Sequence, residues 1–156
     1  MEDGAQQVSQ GALAFRSHKE ELGWAWLAGI LDGEGSVRVK SDKLGHQQLE
    51  LRVSMTHKPT LDRIKEISGS GSVILTSPRP MTRKPLFLWH CQARQAAAVL
   101  RAVFPYLVTK KEQASLAIEF AQLVQLTPRG VGKTLPIGLA TKRAHIAQEM
   151  RKLNTK

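Results

Sequence analysis

Apolar residues recur at helical spacing early in the chain. Trp24, Leu27, Ala28 and Leu31 fall at i, i+3, i+4 and i+7, which predicts a helix over residues 19–32. A second, smaller stripe of Ala25, Gly29 and Asp32 lies on the neighbouring face, and Gly33 and Gly35 supply the permissive backbone at which the helix is expected to stop. The period then changes to two. Val37 and Val39 alternate with Arg38 and Lys40, and after the polar turn SDKLGHQ, Leu49, Leu51, Val53 and Met55 alternate with Glu50, Arg52, Ser54 and Thr56. One apolar and one polar face predict a half-buried antiparallel strand pair. A helix follows over about 59–67, with Pro59 in its first turn and Leu61, Ile64 and Ile67 inward. The stretch SGSGS leads into a second strand pair, about 71–77 and 86–92, around the proline-bearing basic loop SPRPMTRKP. Residues 94–104 and 109–125 read as helices separated at Pro105, with Thr109 the expected cap of the second, and a last helix is expected over about 139–153.

The resulting order, α-ββ-α-ββ-α-α-α, predicts an α+β fold with helices on one side of an antiparallel sheet. Its other face is left free, polar and basic. The expected division is a flexible N-terminal extension over 1–18, a core over 19–127, and a loop with a C-terminal helix over 128–156 that packs on the core. A length of 156 residues suits one domain. The 42% apolar and 23% charged content argues against wholesale disorder. Glu2 and Asp3, with no apolar stretch behind a basic start, argue against a secretory signal or an Arg-rich transit peptide. The single cysteine, Cys91, excludes an intrachain disulfide framework and a zinc site built on several thiolates.

Charge changes the picture. The net charge of +10 is uneven: residues 1–35 carry six acids and two bases, whereas residues 36–156 carry 21 bases and seven acids. A basic body around a small acidic centre predicts a polyanionic partner. Asp32 and Glu34 stand at a predicted helix C-terminus, where the partial charge is already negative. Carboxylates gathered there are costly unless a cation sits among them, and a hard divalent ion suits oxygen ligands.

The stretch Leu27-Ala28-Gly29-Ile30-Leu31-Asp32-Gly33-Glu34-Gly35 resembles the signature of the LAGLIDADG homing endonucleases, with five of nine positions identical. The rest are Ile/Leu exchanges, Gly for Ala and Glu for Asp. The resemblance spans about residues 19–125 and implies the αββαββα fold of that family, with a saddle-shaped DNA-binding sheet, here followed by extra C-terminal helices. A single copy of the motif implies a homodimer through the Leu27–Gly35 helix, with Ala25, Ala28 and Gly29 letting two backbones approach. The family pattern makes Glu34 the metal-binding carboxylate and the Gly33 carbonyl a backbone ligand. Asp32 is placed with the catalytic group or as a support of the turn. The implied ion is Mg²⁺, with Mn²⁺ able to substitute. It would lower the pKa of an attacking water and stabilise the leaving oxygen in phosphodiester hydrolysis.

Two further segments fit the same resemblance. Phe104-Pro105-Tyr106-Leu107-Val108-Thr109-Lys110-Lys111 matches the segment carrying a catalytic lysine, which falls on Lys110 with Lys111 as the adjacent alternative. Val53–Pro59 matches the end of the second strand, placing His57 where a solvent-organising polar residue stands. Leu61 falls where some relatives carry an arginine, which Arg63 could replace. The candidate DNA contacts are Arg38, Lys40, Gln48, Glu50 and Arg52 on the strands, then Thr76, Arg79, Arg83, Lys84 and Lys111. A two-stranded ribbon fits the major groove, where Arg and Gln pair with base edges, while other cations hold phosphates. The expected activity is a double-strand break in a long pseudo-palindromic DNA target, serving intron or intein homing, inside a bacterial or phage-infected cell or an organelle. The alternatives on this fold are a maturase that binds intron RNA and a DNA-binding protein without cleavage. Gly33, Glu34 and Lys110 together favour the enzyme. Gly130-Val131-Gly132-Lys133-Thr134 ends like a phosphate-binding loop, but Thr127 stands where the first glycine is required and no buried strand precedes it. Trp24, Trp26 and Trp89 are assigned to core or interface.

Overall fold

The computed structural model describes residues 17–76, 84–127 and 134–155. Its elements run α1 (His18–Glu34), β1 (Gly35–Ser41), β2 (Gln47–Met55), α2 (Lys58–Ser68), β3 (Ser72–Leu75), β4 (Phe87–Gln92), α3 (Ala93–Val103), a 3₁₀ turn (Phe104–Tyr106), α4 (Lys111–Gln125) and α5 (Ile137–Asn154). This is the expected α+β order. The four strands form one antiparallel sheet in the order β1-β2-β4-β3.

Helix α1 starts one residue earlier and ends two residues later than its apolar period predicts. At the start, Ser17 Oγ accepts from Glu20 N–H at 3.3 Å and the Glu20 carboxylate accepts from Ser17 N–H at 2.8 Å. That capping box satisfies two N–H groups that the first turn leaves without helical partners. At the other end Gly35 caps in an extended conformation (φ −77°), so no left-handed residue is used. Glycine is required for space: a Cβ at Gly35 would lie 2.5 Å from the Leu31 carbonyl oxygen. The chain therefore passes from helix to strand without an intervening loop.

The β1–β2 turn is held by Asp42. Its Oδ1 accepts from the N–H of Leu44 (2.9 Å) and His46 (2.8 Å), and its Oδ2 meets His46 Nδ1 at 2.9 Å. These contacts hold the Asp42 carboxyl below its ordinary range, the His46 side-chain bond foremost. On the other side of the sheet Gly71 (φ 82°) allows the closure of SGSGS over Trp89, whose indole N–H donates to the Ser70 carbonyl at 3.1 Å. A Cβ at Gly71 would lie 2.6 Å from the His90 carbonyl oxygen.

Register assigns the two faces. Val37 opposes Leu51, Leu51 opposes Cys91, and Val53 opposes Trp89. All are buried, and they pack with Leu27 and Leu31 of α1, Leu61 and Ile64 of α2, Leu100 of α3 and Phe120 of α4. Each such apolar side chain contributes roughly 1.5–3 kcal/mol on burial. Cys91 sits in this layer with its thiol pushed up to about 12 by burial and, less, by the Glu50 charge, so it is an inert core group. Ala96, Ala97, Val99, Leu100 and Val103 make the inward face of α3.

Helix α5 packs on α4 and on β1, an edge strand. Asn154 Nδ2 donates to the Val37 carbonyl at 2.9 Å, and Arg143 Nη2 donates to the Gln47 carbonyl at 3.3 Å while its guanidinium lies 5.3 Å from the Phe120 ring centre. The Asn154 contact occupies a β1 carbonyl that the edge would otherwise offer to another chain. Burial lowers the pKa of Arg143 from its ordinary value. Among the described residues no helix is long and apolar enough to cross a membrane.

Candidate functional site

The centre of the site is the junction of α1 with the segment before α4. The Asp32 carboxylate reaches across the chain: Oδ2 accepts from Val108 N–H and Oδ1 from Lys110 N–H, each at 2.8 Å. In return, Lys110 Nζ donates to the Asp32 main-chain carbonyl at 2.6 Å. Thr109 is not the cap of α4. The N-cap position is Lys110, whose ammonium side chain has no acceptor to offer the first turn and makes no cap bond, while its own N–H goes to the Asp32 carboxylate. Asp32 is thus tied up as an acceptor for the backbone of this segment. The neighbouring lysines diverge. Lys110 is half-buried against α1, whereas Lys111 Nζ lies over the Phe104 ring, 5.4 Å from its centre.

Glu34 is the last residue of α1, and its side chain is exposed with no hydrogen-bond or ion-pair partner among the described residues. The last turn carries no basic residue. An uncompensated carboxylate at the negative end of a helix fits a cation. The neighbouring carbonyls divide in the same way: that of Leu31 accepts from Gly35 N–H and that of Asp32 from Lys110. The Gly33 carbonyl, in the terminal turn, lies beyond the helical ladder. Oxygen donors of this kind suit a hard divalent ion. Among the described residues, no group of three or more His, Cys, Asp or Glu side chains could hold a metal within one chain.

His57 is at the N-cap position of α2, where its Nδ1 meets Thr60 Oγ1 at 2.8 Å. It follows β2, whose Val53 opposes Gly35, so His57 lies at the same end of the sheet as Glu34. Leu61 is wholly buried in the core, and Arg63 is paired with Glu66 at 2.7 Å. A cavity of about 430 Å³ lies at the opposite end of β1, lined among others by His46, Leu49, Arg94 and Phe120.

The face of the sheet turned from the helices carries Arg38, Lys40, Gln48, Glu50 and Arg52 together, as alternation predicts. The pairing adds His90 opposite Arg52, Gln92 opposite Glu50, and Ser72 opposite His90. Sequence reasoning missed these three residues. The alternation of β4 is masked by Leu88, which is buried although it shares their face, and strand order is not written in any local pattern. Glu50 is 5% exposed, the one buried charged residue among those described. Thr76 Oγ1 donates to the Leu86 carbonyl at 2.7 Å, which ties the residue after β3 to the residue before β4. Lys84 is exposed, whereas Arg79 and Arg83 lie outside the described residues, as does Gly130–Lys133. Trp89 is buried, Trp24 is half-buried against the core, and Trp26 stands on the outer face of α1.

The fold is that of the LAGLIDADG homing endonucleases. Similar solved structures include the homing endonuclease I-CvuI in complex with its target in the presence of Ca, at 22% identity over 86% of this chain and 83% of that chain, with a TM-score of 0.66. The archaeal intron-encoded homing endonuclease I-Vdi141I complexed with DNA is similar at 18% identity over 86% and 85% of the two chains, with a TM-score of 0.68. The LAGLIDADG meganuclease I-AabMI bound to uncleaved DNA matches at 19% identity over 80% of this chain but 43% of its own, with a TM-score of 0.64. No protein-family model matches the sequence, and no curated protein does.

Proposed function

We propose that the protein is a site-specific DNA endonuclease that works as a homodimer and hydrolyses one phosphodiester in each strand with a divalent metal, Mg²⁺ in the cell. The observation that carries this reading is the Asp32 clasp, which binds the Lys110 ammonium to the last turn of α1, the turn that ends in the exposed carboxylate of Glu34. Glu34 and the Gly33 carbonyl are the residues that would hold the metal, whose chemistry is to acidify an attacking water and stabilise the departing oxygen. Lys110 neutralises charge on the phosphate. Asp32 positions Lys110 through the backbone on both sides of Thr109. His57, hydrogen-bonded to Thr60, orients solvent from the end of β2.

A second copy is supported by α1. Leu22 (58% exposed) and Trp26 (38%) stand on its outer face, and at Gly29 and Gly33 an added Cβ would meet nothing within 4 Å. Ala28 is wholly buried in its own subunit, so Gly29 and Gly33, rather than Ala28, are the small residues available to a partner. The I-AabMI chain, of which this chain matches less than half, is long enough for two such units. One subunit's incomplete set of metal donors is consistent with a site completed across the axis.

The test is cleavage, with Mg²⁺, of duplex DNA made by joining the two flanks of the host reading frame. Wild type should cut both strands. Glu34→Gln should slow cutting by more than about 100-fold with duplex binding retained, and Asp32→Asn by about 100-fold through misplacement of Lys110. Equal rates for Glu34→Gln and wild type would remove the metal assignment. Duplex binding without cutting under any divalent cation would leave a DNA-binding protein instead.

A further inference from the structure

Three side chains form a row across the open face, on β1, β2 and β4: Arg38, Glu50 and Gln92. One oxygen of Glu50 takes both Nε and Nη2 of Arg38, each at 2.5 Å, and the other accepts from Gln92 Nε2 at 3.2 Å. Glu50 is buried beneath its partners, and the Arg38 side chain remains 39% exposed. A carboxylate reading cytosine directly would need oxygens open to the groove, and these are both engaged.

The geometry constrains what the neighbours present. Arg38 keeps the hydrogens of Nη1 and the outer one of Nη2, the end-on fork that matches guanine O6 and N7. An ionised carboxylate only accepts, so the Gln92 amide must turn its nitrogen to Glu50 and its oxygen away. Burial pushes the Glu50 carboxyl up, but the bonds from Arg38 and Gln92 and the charges of Arg38 and Arg52 outweigh it and hold it below its ordinary value. It is therefore ionised at neutral pH. We propose that Glu50 is a positioning residue that presents Arg38 and Gln92 as a pre-set pair of base readers. Arg38 reads guanine. Gln92, through its carbonyl oxygen, reads the amino group of adenine or cytosine on the contacted strand. This rests on the reading of the open face as a duplex-binding surface.

The experiment is selection from randomised duplex DNA by the full-length protein, followed by affinity measurements on single-base variants of the selected site. Wild type should prefer guanine at one position per half-site and an amino-bearing base at another, each by about tenfold to a hundredfold. Arg38→Ala should abolish the first preference alone and Gln92→Ala the second alone. Glu50→Gln, whose amide can both donate and accept, should flatten both. Its affinity for unrelated duplex should not fall, because the lost carboxylate holds no phosphate and its removal leaves the face more positive. On unaltered protein, 7-deazaguanine at the selected guanine should weaken binding about tenfold. Unchanged preferences in a folded Glu50→Gln variant, or indifference to 7-deazaguanine, would overturn the proposal. Failure of wild type to bind any duplex would instead overturn the nuclease reading, and this one with it.

Discussion

Asp32 and Glu34 stand two residues apart at the end of one helix with different surroundings. Asp32 is spent on two backbone N–H groups of a distant segment, and Glu34 is left facing solvent. The motif spacing showed both as acids at a helix end. It could not show that one of them holds the segment leading into another helix, since that contact joins residues 76 and 78 positions apart. Glu50 is a parallel case: alternation puts it on the polar face, and only its cross-strand neighbours make it a buried, paired charge. Its pH behaviour follows. A carboxyl held below its unfolded value stabilises the fold above that value and loses this contribution as pH falls through the folded one. The difference in unfolding free energy between wild type and Glu50→Gln should be constant from neutrality to about pH 5. It should then shrink below the ordinary carboxyl value of 4.5. Urea denaturation over a pH series measures it, and parallel curves down to about pH 3 would contradict the assignment.

The clearest contrast among elements lies within α1. Its inward stripe is legible from periodicity: Leu27, Ala28 and Leu31 are buried as the spacing of apolar residues predicts. Its glycines look alike in the sequence but have different surroundings. At Gly35 a Cβ would meet Leu31 backbone at 2.5 and 2.8 Å, and at Gly29 it would meet nothing within 4 Å. Gly35→Ala should therefore destabilise the subunit by about 1–3 kcal/mol. Gly29→Ala should stabilise the isolated helix by up to about 1 kcal/mol while weakening self-association. Denaturant unfolding reads the first effect and sedimentation equilibrium the second. A Gly29→Ala protein that associates as tightly as wild type would remove α1 from the dimer contact. The start of α4 teaches the same lesson in another way. Thr109 has the right chemistry for a cap, but the helix begins one residue later, after Lys110, whose N–H is held by Asp32.

At the scale of the whole molecule the proposed active unit is two chains, with the metal donors, the basic faces and the outer surfaces of α1 each repeated about an axis. Its apparent melting temperature should rise with protein concentration, because association draws on the folded state alone. Its affinity for duplex should fall steeply with salt, as displaced counterions require. A melting temperature independent of concentration over two decades would contradict the dimer. The basic excess after residue 36 was visible from charge alone. Its concentration on one face depends on the strand order β1-β2-β4-β3, which brings His90 and Gln92 beside Arg52 and Glu50.

The local sequence by itself determined the identity and order of the helices and strands, the inward faces of α1, β1 and β2, and the acid-tipped end of α1. These follow from periods of 3.6 and two and from residues within a few positions of one another. The tertiary structure alone decided that Asp32 holds Lys110, that Glu50 holds Arg38 and Gln92, and that α5 covers the edge of β1. Each of these is a contact between positions far apart in the chain. Its existence depends on how layers pack and strands register, and no periodicity within a single element carries that information.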